Sequence, residues 1–107
     1  MTDIEYIASK LSNEELLCQL AEEASELAQA ALKLRRASTG SNPTITSYYD
    51  AVDNLLEELA DVRVAEQAVI QAGTKAPVEL GKIIANNMEE KTARWVQRLR
   101  EKEDSHD

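Results

Sequence analysis

Residues 13–37 read NEELLCQLAEEASELAQAALKLRRA, and this stretch decides the fold class. Apolar side chains recur in it at steps of three and four, which is the spacing of one face of an α-helix. These side chains are Leu17, Leu20, Ala24, Leu27, Ala31 and Leu34. Ser12 and Glu15 have the spacing of a capping box, so the helix is predicted to run from about 13 to about 37. At about 1.5 Å per residue it is roughly 36 Å long.

The segments on either side of this helix also have readable patterns. Residues 3–10 are predicted to form a short leading helix that is held by Ile4, Ile7 and Leu11. After the long helix, Gly40 and Pro43 forbid helical continuation, so residues 38–46 are predicted to be a loop. This loop is the one segment of the chain with a flexible composition.

Two further helical regions follow the loop. A second long helix is predicted from about Ser47 to Gly73, with apolar positions at Val52, Leu55, Leu56, Leu59, Val62, Val69 and Ile70. Pro77 fits the first turn of a third region, because a proline there removes no hydrogen bond. The pattern is helical again from about 82 to 102, with Gly81 as a candidate kink or boundary, and residues 102–107 are predicted to fray.

Composition agrees with an all-α fold. The chain has 107 residues, the size of a single domain, and only 4% are aromatic, with no Phe, so the core must consist of Leu, Ala, Val and Ile. The apolar stripes of long helices cannot all be covered within one chain of this size. We therefore expect long antiparallel helices in a four-helix-bundle-type core that is completed by a homodimer or a dimer of dimers.

The net charge and the cysteine content exclude some kinds of function and favour others. The formal net charge is −8, which argues against binding a nucleic-acid polymer, because that function needs a basic face. Cys18 is the only cysteine, which fits a reducing compartment and excludes a thiol-based metal site. No apolar run approaches the roughly 20 residues of a membrane span, and the opening residues MTDIEY carry two acids where a signal peptide carries positive charge. A soluble, cytoplasmic protein is expected, with no membrane partner.

Two acidic clusters stand out on the long helices. Glu22, Glu23 and Glu26 lie within one turn of the first long helix, and Glu58 and Asp61 repeat the three-residue spacing on the second. Like charges at such spacings destabilise a helix by roughly 0.2–0.5 kcal/mol per pair. If the two helices pack antiparallel, both clusters flank one rim of the seam and offer oxygen ligands to a hard cation such as Mg²⁺.

The acidic clusters also allow three alternative interpretations. Acidic residues are common on solvated helix faces, and 20 of them in one chain of this length produce such spacings by accident. A simple divalent-cation binder is a second alternative. The third, a di-iron site in a helical bundle, needs a Glu-x-x-His pair, and the only histidine is His106 near the carboxyl end.

The segments EEASELAQAALKLRRA and LLEELADVRV resemble the Glu-Glu-x-x-Glu and Glu-x-x-Asp signature of the MazG-like, all-α nucleoside triphosphate pyrophosphohydrolases, a superfamily that includes the dimeric dUTPases. The resemblance covers roughly residues 14–100. It implies a helical dimer or tetramer that uses Mg²⁺, or Mn²⁺, to split a nucleoside triphosphate between the α and β phosphates. It also implies that Glu23, Glu26, Glu58 and Asp61 bind the metal and that Glu22 activates water.

The phosphates need positive charge as well. Asn87, Lys91 and Arg94 form one stripe of the third helical region, and KTARW resembles the basic segment that follows the second motif in the family. Family members often have asparagine and a basic residue exchanged between positions 87 and 91. Lys33 falls on the helix face of Glu22 and Glu26 and can reach the same anion. The alternative for each is a surface residue in a salt bridge.

The aromatic residues and the cysteine allow more than one interpretation. Tyr48, Tyr49 and Trp95 can stack on a base, although core or interface positions are commoner for such residues. Cys18 is predicted to be a buried thiol. For the chain as a whole, the alternative to an enzyme is a catalytically silent helical dimer that binds a partner protein or senses a nucleotide or metal. Base and sugar preference are not marked by any motif.

Overall fold

A computed structural model describes residues 1–40 and 46–105, and every regular element in those ranges is an α-helix. The helices are α1 (Asp3–Lys10), α2 (Asn13–Thr39), α3 (Tyr48–Gln71) and α4 (Pro77–Asp104). The all-α prediction is confirmed for this part of the chain. Most of the predicted loop, residues 41–45 with Pro43, lies outside the described residues, as do His106 and Asp107.

The helix starts follow from side-chain caps that the sequence already indicates. The hydroxyl of Ser12 accepts a hydrogen bond from the backbone N–H of Glu15, and the Glu15 carboxylate accepts one from the backbone N–H of Ser12, which completes the capping box. The Ser47 hydroxyl accepts from the Asp50 N–H at the start of α3, and the Thr2 hydroxyl accepts from the Glu5 N–H at the start of α1. Each cap satisfies a backbone donor that the helix leaves unpaired.

Helix α2 ends two residues beyond the predicted position, at a glycine. Gly40 has a φ of 65°, in the left-handed region, and its N–H donates to the Arg36 carbonyl oxygen. Glycine adopts this conformation without the steric penalty that a side chain brings. Gly40 therefore ends α2, as predicted.

The chain divides into two compact units, Met1–Ala72 and Gly73–Asp107. In the first unit, α1 and α2 both pack on α3. Residues late in α2, such as Ala30, share a hollow with Asn54 early in α3, whereas Leu16 early in α2 shares one with Ala68 late in α3. Helices α2 and α3 are therefore antiparallel, as predicted.

The core of the first unit is small and rich in alanine. The buried side chains among the described residues are Leu16, Ala30, Ala51, Ala65 and Ala68. Alanine permits two helix backbones to approach closely, but it buries little apolar surface. The buried set is therefore small, and Leu16 is its largest side chain.

The packed face of α2 differs from the predicted stripe. Leu16 and Ala30 are buried, and the side chains of Leu20, Glu23, Leu27 and Leu34 are half-buried, whereas Leu17, Ala24 and Ala31 are exposed. Half of the predicted stripe therefore belongs to a neighbouring face, about 100° away around the helix. The rotation brings Glu23 into the packed face.

The same rotation explains an error about the cysteine. Cys18 is exposed, and the prediction of a buried thiol is wrong. Cys18 lies two residues after Leu16, which is about 200° around the helix, so it faces away from α3.

The second unit contains α4, which begins at Pro77, the predicted first-turn proline. The helix continues without a boundary through Gly81 and extends to Asp104, beyond the predicted end at about 102. Its large apolar side chains are exposed, Trp95 at 63% and Met88 at 62%. Within the described ranges, no helix is both long enough and apolar enough to cross a membrane.

Replacing Gly81 with Ala is expected to stabilise α4. Gly81 lies inside a helix, and a Cβ built on it meets no atom within 4 Å. Alanine loses less backbone entropy on helix formation, which is worth about 0.5–1 kcal/mol. Helicity from circular dichroism during thermal unfolding measures the gain. Gly40→Ala is the control with the opposite sign, because φ at Gly40 is positive, and a Gly81→Ala protein that loses helicity would contradict the prediction.

Candidate functional site

Three carboxylates from two helices meet at the α2–α3 interface. Glu23, Glu26 and Glu58 each place a carboxylate oxygen within 4.8 Å of the others. The antiparallel packing explains this meeting, since it sets the EEASE segment of α2 against the middle of α3. Such a group could hold a metal ion, although acidic side chains also gather on helix surfaces without one.

Two of these carboxylates each have one oxygen without a hydrogen-bond partner among the described residues. The Glu23 Oε1 accepts a hydrogen bond from the Gln19 side-chain amide at 2.7 Å. The second oxygen of Glu23, Oε2, and the Oε2 of Glu58 are shielded from solvent and have no hydrogen-bond partner among the described residues. An unpaired polar atom that has lost its water carries a free-energy penalty. A cation at this position would remove the penalty for both.

The electrostatic environment opposes ionisation at the same two residues. Burial raises the pKa of Glu23 above its ordinary value of 4.5, the negative charges of Glu26, Asp61 and Glu58 raise it further, and the Gln19 hydrogen bond opposes the increase. Burial also raises the pKa of Glu58. The negative charges of Glu26 and Asp61 and a hydrogen bond with the Glu26 carboxyl group raise it further. The site therefore concentrates negative charge, which raises the pKa of both carboxyl groups.

The raised pKa values predict an unusual pH dependence of stability without metal. The folded state binds protons more tightly than the unfolded state at Glu23 and Glu58, so these groups lower the free energy of unfolding as pH rises from the ordinary value through the raised one. Glu58→Gln removes one such group. In a chelator, we expect it to be more stable than the wild type at about pH 7.5, with the difference shrinking towards about pH 5.

Thermal unfolding at several pH values measures this difference. Glu57→Gln is the matched control, because Glu57 is exposed and carries the same charge on the adjacent residue, and of the groups that raise the pKa of Glu58 its charge contributes least. A stability difference for Glu58→Gln that is independent of pH, or that grows towards low pH, would contradict the prediction.

Asp61 and Glu22 lie outside the group of three. Asp61 is exposed but close enough for its charge to raise the pKa of Glu23 and Glu58. Glu22 is exposed and lines a hollow on another part of α2, with Glu15 and Cys18. The structure therefore brings three of the four predicted metal ligands together, places Asp61 beside them, and does not bring Glu22 to them.

A hollow of about 340 Å³ adjoins the carboxylates on the side of the α2 carboxyl end. Glu26 and Glu58 line it together with Lys33, the lysine for which the sequence predicts phosphate binding. Arg36 and Asn54 also line it. We call it the cationic hollow.

Arg36 and Asn54 were not predicted as site residues. A signal existed for both: Arg36 lies three residues after Lys33, and Asn54 lies four residues before Glu58. Steps of three and four along a helix stay on one face. Extending the face of Glu26 towards the carboxyl end of α2 would have identified Arg36. Extending the face of Glu58 towards the amino end of α3 would have identified Asn54.

A second hollow, of about 260 Å³, adjoins the carboxylates on the opposite side. Glu23 and Asp61 line one part of it, and the rest is mainly apolar, with contributions from Ile7, Leu11, Leu16, Val64, Ala65 and Ala68. We call it the apolar hollow. The carboxylates thus lie between an apolar cavity and a cationic one.

The other predicted binding residues are all exposed. Asn87, Lys91 and Arg94 lie on α4, in the second unit, and their assignment to phosphate binding stays a prediction. Tyr48 and Tyr49 begin α3 and contact each other edge to face, with ring centroids 5.6 Å apart. Their exposure, 49% and 79%, leaves base stacking as an untested prediction.

Comparison with models of protein families, with characterised proteins and with solved structures gives no match for this chain. Functional inference therefore depends on the residues themselves.

Proposed function

We propose that this protein is a cytoplasmic, Mg²⁺-dependent nucleotide pyrophosphohydrolase. It cleaves a nucleoside triphosphate, with ribose or deoxyribose, between the α and β phosphates and releases a monophosphate and pyrophosphate. The observation that carries the proposal is the meeting of Glu23, Glu26 and Glu58 within 4.8 Å, at the positions where the sequence resembles the MazG-like signature. The resemblance supplies the reaction, and the geometry supports the metal-binding set.

The donor set fits Mg²⁺. All the available ligands are carboxylate oxygens, and hard divalent cations prefer oxygen. The two shielded Oε2 atoms lack partners among the described residues, so a cation would give both of them a partner. Glu23, Glu26 and Glu58 would hold the ion, with Asp61 as the fourth predicted ligand. When bound, Mg²⁺ or Mn²⁺ offsets the charge of the phosphates and lowers the pKa of a coordinated water.

The reaction needs a proton acceptor and positive charge from the protein side chains. The oxygen of a water forms a bond to the α phosphorus, and the bond from that phosphorus to the oxygen bridging α and β breaks. The electron pair leaves on pyrophosphate, and a carboxylate takes the proton of the water. Lysine and arginine side chains stabilise the leaving charge. Lys33, which lines the same hollow as Glu26 and Glu58, is our candidate for this role.

Glu22 remains the residue predicted to accept the proton, on the family resemblance alone. Its exposed position gives this assignment no geometric support. Glu22→Gln with saturating Mg²⁺ tests it, since a variant that retains the full rate would transfer the role to another carboxylate.

Self-association is part of the proposal. Leu17, Leu32, Leu56 and Val64 are each at least half exposed on α2 and α3, and Trp95 and Leu99 are exposed on α4. A second copy would bury these side chains in a four-helix-bundle-type core, as a homodimer or a dimer of dimers. Sedimentation equilibrium measures the mass directly, and a monomer at concentrations where the enzyme is active would contradict this part of the proposal.

The test of the reaction is product analysis on a panel of ribo- and deoxyribonucleoside triphosphates, with Mg²⁺ and with a chelator. We expect equal amounts of monophosphate and pyrophosphate, formed only with the metal. Release of inorganic phosphate with a diphosphate product would indicate a different cleavage position. A folded protein that turns over no nucleotide would favour the alternative of a non-catalytic helical module, which the exposed apolar side chains also suit.

A further inference from the structure

Two positive charges, those of Lys33 and Arg36, line the cationic hollow. Lys33 and Arg36 form no ion pair with any residue in the described part of the chain. Both side chains are half-buried, so part of their hydration has been lost. Each cation lines the same cavity as two carboxylates, yet neither one is joined to them by a salt bridge within 4 Å. The two cations and the two carboxylates therefore line one cavity without pairing with each other.

The geometry of α2 directs these side chains towards the carboxylates. Lys33 follows Glu26 by seven residues and Arg36 follows it by ten, which is about 10 Å and 15 Å along the helix axis at about 1.5 Å per residue. Side chains on a helix lean towards its amino terminus, so Lys33 and Arg36 lean in the direction of Glu26. An occupant of the cavity can contact the carboxylates at one end and the cations at the other.

Asn54 adds an uncharged donor from the facing helix. It lies one turn before Glu58 on α3, is half-buried, and lines the same cavity as Arg36. A side-chain amide can donate two hydrogen bonds to anionic oxygens. The cavity thus offers donors from both helices to a ligand with several oxygens.

We infer that Lys33, Arg36 and Asn54 form the subsite for the two distal phosphates of a nucleoside triphosphate, the part that leaves as pyrophosphate. The inference rests on the proposed function and assigns a direction to the substrate. None of the described residues that line the apolar hollow on the other side of the carboxylates is a lysine or an arginine, and most are aliphatic, which suits a nucleoside and not a phosphate. With the nucleoside on that side, the α phosphate lies at the carboxylates and the distal phosphates extend to Arg36.

The direct test is binding of inorganic pyrophosphate to the full chain with Mg²⁺, by isothermal titration calorimetry. Arg36→Gln and Asn54→Ala are expected to weaken binding at least tenfold. Arg35→Gln is the matched control: it removes the same charge from the adjacent residue, which is exposed and does not line the cavity, and is expected to change affinity less than twofold. Circular dichroism of each variant establishes that the helices form.

A steady-state measurement gives a second readout. If the wild type turns over a triphosphate, Arg36→Gln should raise KM and the inhibition constant of pyrophosphate by similar factors, while inhibition by the nucleoside monophosphate stays unchanged. A general structural defect would change the inhibition constants of pyrophosphate and of the monophosphate by similar factors. Such a result would overturn the assignment.

The outcomes for this subsite and for the proposed function are separable. Pyrophosphate binding that Arg36→Gln weakens and Arg35→Gln does not supports the subsite, even if no triphosphate is hydrolysed. Equal affinities for the Arg35 and Arg36 variants would overturn the subsite while leaving turnover intact. A wild type that hydrolyses triphosphates but shows no measurable pyrophosphate binding would also overturn it.

Discussion

Glu58→Gln is expected to reduce Mg²⁺-dependent triphosphate hydrolysis at least about 100-fold, since changes to residues that only support metal ligands already cost about 10–100-fold. The substitution keeps the size of the side chain but removes a negative charge from the point where the two helices meet. Its carboxylate lies in the group of three, and its Oε2 has no other partner among the described residues. Glu26→Gln is expected to have a comparable effect.

The matched control for this loss is Glu57→Gln, with turnover measured at several Mg²⁺ concentrations. Glu57 is exposed and is not one of the three grouped acids, so its variant should keep activity within about twofold. Excess Mg²⁺ should restore part of the rate in Glu58→Gln if metal affinity is the main loss. Equal activity of the two variants would remove Glu58 from the site.

Leu16→Ala is expected to lower the free energy of unfolding by about 2–5 kcal/mol, the range for a buried leucine that leaves a cavity. Leu16 is 3% exposed and is the largest of the five buried side chains. The other four are alanines, so no neighbouring large side chain in that buried set can move to fill the space. Such a loss is a large part of the stability of a small domain.

Leu17→Ala provides the comparison, because the two leucines are adjacent and Leu17 is 55% exposed. Within the single chain its loss should cost less than about 1 kcal/mol. Urea unfolding of both variants, at several protein concentrations, measures the two costs. A Leu17→Ala cost that rises with protein concentration would indicate that a second copy covers this leucine, whereas a Leu16→Ala cost below about 1 kcal/mol would contradict the described packing.

Helix positions were largely predictable because local chemistry decides them. Ser12 with Glu15, Ser47 with Asp50, and the positive φ of Gly40 involve residues close in sequence. The antiparallel pairing of α2 and α3 was also predictable, since only the eight residues 40–47 separate the two helices in the sequence. These features do not depend on the rest of the fold.

The orientation of α2 about its own axis was harder to predict. Leu16 and Leu17 both fit an apolar face, and the pattern alone favoured the face of Leu17. Burying a carboxylate costs free energy, so the prediction placed Glu23 beside the helix–helix interface and not within it. The structure instead packs Glu23 and Glu58 at half-buried positions, where their unpaired oxygens suggest a ligand.

The cationic hollow was only partly predictable for a related reason. Lys33 and Asn54 lie on the helix faces of Glu26 and Glu58, but that they line one cavity together is known only from the register of α3 against α2. That register depends on contacts between residues far apart in sequence. Single-helix periodicity carries no information about it.

Binding of Mn²⁺ without nucleotide tests most directly the central claim that Glu23, Glu26 and Glu58 hold a divalent cation. Free Mn²⁺ measured by electron paramagnetic resonance gives the affinity for the wild type, Glu58→Gln and Glu57→Gln. We predict binding by the wild type and Glu57→Gln with similar affinity, and at least about tenfold weaker binding by Glu58→Gln. Equal affinities in all three proteins, or no binding by the wild type, would contradict the claim.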